Sequence, residues 1–242
     1  MKKVLSVILS GILIASIILT GCSNISSEDV KTTEKEETHA FGKYSDFGVT
    51  LKSCFEGTYD TSAQRSIVED DLDYLELDAS KSSADFLKEN GFISEIAAVY
   101  INKIEILFDN VTDIKEINVK ISAIEQEVMN NLFDKDLDAV MYYAEAAKVS
   151  ASYFSDNDTN RSARWGWKSI KKIRNVVVST AASAVVGAGV GFVASGGNLA
   201  ATIITAATCG FAGGKESYST GKIVIVAKYN NNNEKNIYKR RK

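Results

Sequence analysis

The sequence predicts a mainly α-helical protein: a helical bundle, then a helical hairpin rich in small residues, with one short C-terminal strand. Three observations support this prediction. The 242 residues contain no proline, the residue that most strongly interrupts helices. Apolar residues recur at spacings of three and four through the middle of the chain, which is the period of an amphipathic helix. Residues 176–214 carry no charge, and 25 of these 39 residues are Gly, Ala, Ser or Thr.

The N-terminus is predicted to be an export signal. Lys2 and Lys3 precede a run of apolar and small residues at 4–19, the pattern of a bacterial signal peptide. The run ends in the sequence LTGC at 19–22, which resembles the lipobox of bacterial lipoproteins. The resemblance implies cleavage before Cys22 and a diacylglyceryl group on that cysteine. The mature protein is then lipid-anchored in the cell envelope, on the outer side of the cytoplasmic membrane or, in a Gram-negative cell, on the outer membrane. An uncleaved anchor and a secreted protein are the alternatives.

Charge and composition divide the chain further. Residues 22–160 hold 12 basic and 29 acidic residues, whereas residues 161–242 hold 14 basic and two acidic ones. This polarity favours attraction between the halves, or contact of the basic half with an anionic surface such as phospholipid headgroups. The predicted segments are a lipoprotein signal peptide (1–21), a polar flexible tether (22–40), an acidic helical bundle (41–160), a basic glycine-rich helical hairpin region (161–229) and a disordered basic tail (230–242).

The bundle is predicted to contain several helices joined by short polar links. The apolar residues at 41–61 follow neither the alternation of a strand nor the 3.6-residue period of a helix. A helical pattern covers residues 62–77, and the sequence SSAD at 82–85 provides caps for a short helix that ends at Gly91. Longer helices are predicted at residues 93–107, 113–133 and 136–154, where apolar residues recur every three or four positions.

The uncharged stretch is predicted to form the hairpin. Its arms, residues 176–194 and 198–213, meet at the turn sequence SGGN at 195–198. Gly187 and Gly191 have the GxxxG spacing that permits close approach of two helices. At 1.5 Å per residue the arms measure about 28 Å and about 24 Å, near the thickness of a hydrocarbon core. Three fates remain open: insertion into a membrane, burial against the bundle, and self-association through the glycine face.

A basic and aromatic segment precedes the hairpin and, together with the hairpin glycines, forms the candidate membrane-associating site. Indole rings and lysine side chains suit the headgroup level of a bilayer. An ordinary cationic start of a helix has the same composition. The candidate residues are Trp165, Trp167, Lys168, Lys171, Lys172, Arg174, Gly187 and Gly191.

After the hairpin, residues 222–229 (KIVIVAKY) contain four β-branched residues in a row and are predicted to form a strand. We expect this strand to pair with residues 48–51. Cys54 and Cys209 remain once Cys22 carries lipid. An exported location permits a disulfide between them, and two buried thiols are the alternative.

The sequence lacks the signatures of the common catalytic sites. It contains no GxxxxGK[ST], GxSxG, HExxH or CxxC motif. His39, the only histidine, lies in the predicted tether, so we expect neither a Cys–His dyad nor a histidine-based metal site. The acidic residues at 69–73 lack the glycine and spacing of a calcium-binding EF-hand loop. We therefore expect no enzymatic activity, cofactor or metal, and for an exported protein no nucleic-acid partner.

The C-terminal half, residues 161–242, resembles in composition the glycine-rich, cationic, Trp-containing peptides of membrane-active bacteriocins. This resemblance implies a lipid membrane as partner. Our first hypothesis is a surface lipoprotein whose hairpin associates with membrane, in a bacteriocin-like way. The alternative is a non-catalytic structural or protein-interaction lipoprotein, whose hairpin packs against its own bundle and which binds a protein partner or itself.

Overall fold

The computed structural model describes residues 27–59, 72–77, 81–110, 113–159 and 167–228. The chain forms two compact units, residues 1–42 and 43–242. The described elements are α1 (Ser27–Glu56), β1 (Leu72–Glu76), α2 (Ser83–Glu89), α3 (Glu95–Asn110), α4 (Ile114–Asn131), α5 (Asp134–Thr159), α6 (Trp167–Ala194), α7 (Leu199–Thr220) and β2 (Val224–Lys228). Helices dominate and one short antiparallel strand pair accompanies them, which confirms the predicted fold class.

Helix α1 begins inside the segment that the sequence predicts as a flexible tether. Residues 27–40 contain neither Gly nor Pro, and they include Glu, Lys and Ala, which favour helices. The tether prediction rests on polarity, which reports exposure to water and not backbone conformation. The structure therefore has a helix, instead of flexible chain, at residues 27–40.

Within the second unit, α1 contacts α5. Phe47 and Leu51 are fully buried, and the rings of Phe47 and Tyr142 meet edge to face with their centroids 4.9 Å apart. The Tyr153 hydroxyl donates a hydrogen bond to the carbonyl oxygen of Phe55 at 2.9 Å. Most of the segment 41–61, which shows no clear hydrophobic period in the sequence, thus belongs to a core helix.

The helices predicted between residues 82 and 154 are confirmed, and side-chain caps set where two of them begin. The Ser82 hydroxyl accepts a hydrogen bond from the backbone nitrogen of Asp85 at 3.1 Å. The Asp113 carboxylate accepts one from the backbone nitrogen of Lys115 at 2.9 Å. Each cap satisfies a donor that the first turn of a helix leaves unpaired. The apolar positions of α4 that face the core are Ile117, Ile121 and Val128.

The helical hairpin is confirmed as α6 and α7. The turn between them contains Gly196 and Gly197 with φ of 65° and 88°, a left-handed conformation that glycine adopts without steric cost. The Asn198 side chain then accepts a hydrogen bond from the backbone nitrogen of Ala201 at 3.0 Å and caps α7. Both arms are longer than predicted, because α6 begins within the basic segment and α7 continues to Thr220.

The predicted C-terminal strand is confirmed as β2, but its predicted partner is wrong. Residues 48–51 lie in α1, and β2 pairs antiparallel with β1, with Leu75 opposite Ile225. The sequence predicts a helix over residues 62–77, because their leucines also fit helical spacing; residues 62–71 lie outside the described part of the structure, and residues 72–76 form β1. Most of β1 is exposed, so its sequence carries little periodic signal. Its conformation depends on backbone pairing with a strand distant in sequence, which local patterns do not report.

Helix α6 supplies hydrogen-bond acceptors along the inner edge of β2. The Ser179 hydroxyl oxygen accepts from the backbone nitrogen of Val224, and that of Ser183 from the backbone nitrogen of Val226, each at 2.9 Å. Four helical residues rise about 6.0 Å and two strand residues about 6.7 Å. Hydroxyls one helical turn apart therefore match alternate strand amides, and the two serines take the place of a third strand.

Replacing Ser183 by Ala should lower the free energy of unfolding by about 1–3 kcal/mol, since a buried backbone N–H loses its acceptor. The matched control is Ser150→Ala. Ser150 is equally buried, but its hydroxyl only donates to carbonyl oxygens of its own helix. Its removal therefore leaves no backbone N–H without an acceptor. Urea unfolding followed by circular dichroism measures both variants. Equal losses would contradict the role given to Ser183.

Candidate membrane-contacting site

The hairpin that the sequence nominates for membrane association lies at the centre of the second unit. Helix α6 contacts α2, α3 and α5 as well as α7 and β2. Every residue from 176 to 188 is buried. The small side chains that dominate this segment therefore pack against protein along most of the helix.

Glycines bring α6 and α7 into close contact. A Cβ atom at Gly187 would lie 2.7 Å from the carbonyl oxygen of Thr205, and one at Gly191 would lie 2.9 Å from the Cβ of Thr205. On the opposite helix, a Cβ at Gly213 would lie 2.9 Å from the carbonyl oxygen of Ser179. Side chains at these positions would push the helices apart. The GxxxG glycines thus face the second arm of the same hairpin.

Threonine hydroxyls of the hairpin bond to carbonyl oxygens of their own helices. Thr180 donates to the carbonyl oxygen of Val176, and Thr205 to that of Ala201, each at 2.8 Å. Such bonds to the preceding turn let Ser and Thr sit in an apolar environment without water. The polar residues of this segment are therefore compatible with burial in protein.

The basic start of α6 makes contacts inside the protein. The Lys172 ammonium lies 3.7 Å from the ring centroid of Tyr218, a cation–π arrangement. The Arg174 guanidinium lies 2.8 Å from the Asp109 carboxylate and 4.0 Å from that of Glu105. Two of the cations expected at a membrane surface are thus directed at α7 and α3.

Glu105 belongs to a buried polar cluster with Ser83 and Tyr143. The Tyr143 hydroxyl donates to Glu105 at 3.1 Å, and the Ser83 hydroxyl also donates to this carboxylate. Burial raises the pKa of Glu105 above its ordinary value, although these hydrogen bonds and Arg174 oppose the rise. Burial likewise raises the pKa of Tyr143. Ser83 and Tyr143 are inaccessible to solvent, so the cluster has the character of a core network.

The remaining predicted residues of the basic segment are described only in part. Trp167, Lys168 and Lys171 lie in α6 by their backbone, and their side chains are outside the described part of the structure. Trp165 and the predicted lipidation site Cys22 lie outside the described residues altogether. The signal peptide and the basic tail lie outside them as well.

Both cysteines considered for a disulfide are buried. Cys54 is 8% exposed and Cys209 is 1% exposed. Cys209 lies at the contact between α7 and Gly187, where a Cβ on the glycine would come within 2.8 Å of the cysteine Cβ.

The tip of the hairpin, in contrast, is open to solvent. Phe192, Val193 and Leu199 flank the turn and are 58%, 78% and 48% exposed. The nearest charged residues in sequence are Arg174 and Lys215. An exposed, uncharged, apolar tip is the part of the hairpin that remains available to a membrane or another partner.

A cavity of about 690 Å³ lies between α1 and α5, and sequence reasoning did not identify it. Its charged groups are paired: Lys148 lies 2.8 Å from Glu145, Lys52 lies 3.7 Å from Glu56, and Lys148 also lies 2.9 Å from Glu125 of α4. The pKa of Glu125 is raised by burial, against the influence of Lys148.

Among the described residues, no group of three or more His, Cys, Asp and Glu side chains is arranged to hold a metal ion.

Within the described residues, one helical segment, Lys172–Ala194, is long and apolar enough to cross a bilayer. Of its apolar window, 78% is buried inside the protein. A central helix of a globular protein has the same length and composition. These two properties therefore do not distinguish a helix in a protein core from one in a bilayer.

The chain has no match among known protein families, curated proteins or solved structures. Its function has to be inferred from its own residues.

Replacing Gly187 by Ala should destabilise the protein by about 1–3 kcal/mol, because the added methyl group overpacks the contact between α6 and α7. Gly189→Ala is the matched control. A Cβ there would meet only the Phe92 ring at 3.5 Å, an ordinary contact, and alanine favours the helix by up to about 1 kcal/mol. Thermal and urea unfolding should therefore move in opposite directions for the two variants. A shift in the same direction would contradict the tight contact at Gly187.

The buried carboxyl predicts a pH dependence of stability. A carboxyl whose pKa is higher in the folded than in the unfolded state stabilises the protein at low pH, and this contribution is lost as the pH rises through the folded-state pKa. The unfolding free energy of the unsubstituted protein, minus that of Glu105→Gln, should therefore decrease as the pH rises above 4.5. Urea unfolding between pH 4 and pH 7.5 measures this difference. A constant or increasing difference would contradict the raised pKa.

Proposed function

We propose that the protein is a non-catalytic, lipid-anchored protein of the cell envelope, whose glycine-rich hairpin packs into its own bundle. The acyl chains on Cys22 hold it at the membrane, and the folded unit from Lys43 onward is displayed outside the cytoplasm. Its role is structural or one of interaction. The observation that carries the proposal is the complete burial of residues 176–188 among α2, α3, α5, α7 and β2.

Two sets of contacts between the hairpin and other elements support a packed hairpin as the working state. Ser179 and Ser183 hold β2 by its backbone, and Arg174 pairs with Asp109 of α3. A hairpin that moved into a bilayer would lose both. Loss of the serine contacts alone would leave two backbone donors of β2 without acceptors, and that cost opposes insertion.

The buried polar residues support a role without catalysis. Ser83 and Tyr143 are used in bonds to Glu105 beneath the surface. A catalytic group must be able to contact its substrate, and these hydroxyls have no exposed surface. The charged residues along the α1–α5 cavity pair with one another and offer no obvious nucleophile and base.

The second candidate is a hairpin that inserts into membranes in a bacteriocin-like way. The length and apolar composition of Lys172–Ala194 favour it, as does the uncharged turn, which would carry no charge across the bilayer. Insertion would require α6 and α7 to leave the bundle together. The two candidates therefore differ in whether the folded protein disrupts a bilayer without its lipid.

Flotation of vesicles and release of an enclosed dye separate the two candidates. The unsubstituted protein, purified from membranes, should float with vesicles of phosphatidylethanolamine and phosphatidylglycerol. Cys22→Ser should remain at the bottom of the gradient in high salt, and neither protein should release dye. Mass spectrometry of the N-terminal peptide reports whether Cys22 carries lipid. Flotation and dye release by Cys22→Ser would overturn the packed-hairpin proposal in favour of insertion.

A further inference from the structure

Three loops of the second unit meet at one end of the bundle. The Lys135 ammonium donates to the carbonyl oxygen of Gly91 at 2.6 Å, and the Asp136 carboxylate accepts from the backbone nitrogen of Ser94 at 3.0 Å. These bonds join the α2–α3 and α4–α5 loops. Phe92 lies beside Gly189 in the last turns of α6, so the hairpin tip lies at the same end.

This end carries a set of exposed apolar side chains, which we call the tip face. Elsewhere, exposed apolar residues such as Val49 and Val119 lie on the sides of the bundle, which is ordinary for a protein surface. At the tip face, aromatic and aliphatic groups from three separate loops share one end of the molecule, a pattern typical of contact sites. The tip face consists of Ile96 (63% exposed), Phe133 (74%), Phe192 (58%), Val193 (78%) and Leu199 (48%).

The chain joins the second unit at this same end. The Lys43 ammonium lies 2.7 Å from the carboxylate of Asp138, which is in the first turns of α5. Tyr44 donates to the same carboxylate. The second unit therefore begins at the tip face. The opposite end of α6 lies about 40 Å away, at 1.5 Å per residue over its 28 residues.

Four of the charged groups at this end, Lys43, Lys135, Asp136 and Asp138, make contacts within the protein. Lys43 pairs with Asp138, and Lys135 and Asp136 bond to backbone groups of the α2–α3 loop. The hairpin itself carries no charge between Arg174 and Lys215. Bringing the hairpin tip to a bilayer would therefore leave these ion pairs and hydrogen bonds in place and desolvate mainly apolar side chains.

We propose that the tip face contacts the acyl region of the bilayer that holds the lipid anchor, with Phe192, Val193 and Leu199 entering at the interface. The inference rests on the proposed lipid anchoring, since it takes the end at which the second unit begins as the side that faces the membrane. The contact is peripheral. A few apolar side chains add to an acyl anchor without replacing it, because stable membrane attachment takes more than one signal. The hairpin body stays packed in the bundle.

The test uses the lipidated full chain in vesicles of phosphatidylethanolamine and phosphatidylglycerol that contain spin-labelled acyl chains. An environment-sensitive fluorophore is attached at Val193→Cys or, as control, at Val119→Cys, which is similarly exposed (71%) on the side of α4. The unsubstituted protein, whose Cys54 and Cys209 are buried, is the labelling blank. We expect the spin labels to quench the probe at residue 193 at least severalfold more than the probe at residue 119.

Equal, weak quenching at both positions in protein that floats with the vesicles would overturn the tip-face contact and leave lipid anchoring standing. A probe at residue 193 that is shielded before vesicles are added would overturn it in favour of contact between copies of the protein. If the protein carries no lipid and does not float, the proposed lipid anchoring is wrong. The orientation inferred from that anchoring is then wrong as well.

Discussion

The close contact between α6 and α7 is the constraint on which the second unit depends. Glycine at 187, 191 and 213 lets the two helices approach until one helix meets the backbone of the other. Each glycine inside a helix costs up to about 1 kcal/mol relative to alanine. The close approach offsets this cost through many short van der Waals contacts, and small side chains lose little conformational entropy when buried. The result is a thin hairpin that fits among α5, α3 and β2.

The serine positions follow from the same contact. Because α6 is close to its neighbours along its whole buried length, a side chain as short as serine reaches the backbone of β2. A larger polar side chain would not fit there. The strand in turn shields the side of the helix that α5 and α7 do not cover. One helix therefore organises packing with both the bundle and the sheet.

The sequence predicted most of the helices, because apolar periodicity and caps are local properties. Ser82 and Asp113 are recognisable as caps, and the isoleucines of α4 as an inward seam, without knowledge of the fold. The partner of β2, the carboxylate that pairs with Arg174 and the amides that bond to Ser179 are all distant in sequence. Local patterns do not report such partners. The cations of α6 illustrate the consequence: their composition suits a headgroup layer, while Arg174 and Lys172 face Asp109 and Tyr218.

Hairpins of small residues are ambiguous in sequence for a physical reason. Helices in a bilayer associate through close packing and internal hydrogen bonds, since lipid gives them no hydrophobic drive toward each other. The same contacts join α6 to α7 inside a protein core. Glycine spacing and Thr bonds to the preceding turn therefore suit both environments. The distinction lies in the neighbours: α6 has protein on nearly all sides from residue 176 to 188, and its tip is exposed to solvent.

The pairing of β1 with β2 has a consequence for the order in which the protein is made. Glu76 and Lys222, which form an ion pair beside the two strands, are 146 residues apart. The loop that this contact closes contains nearly all of the bundle, so the final strand can be added only when almost the whole chain has been synthesised. A growing chain that ends before α6 exposes the apolar face of α5 and has no partner for β1. Completion of the core is therefore a late step in the synthesis of the chain.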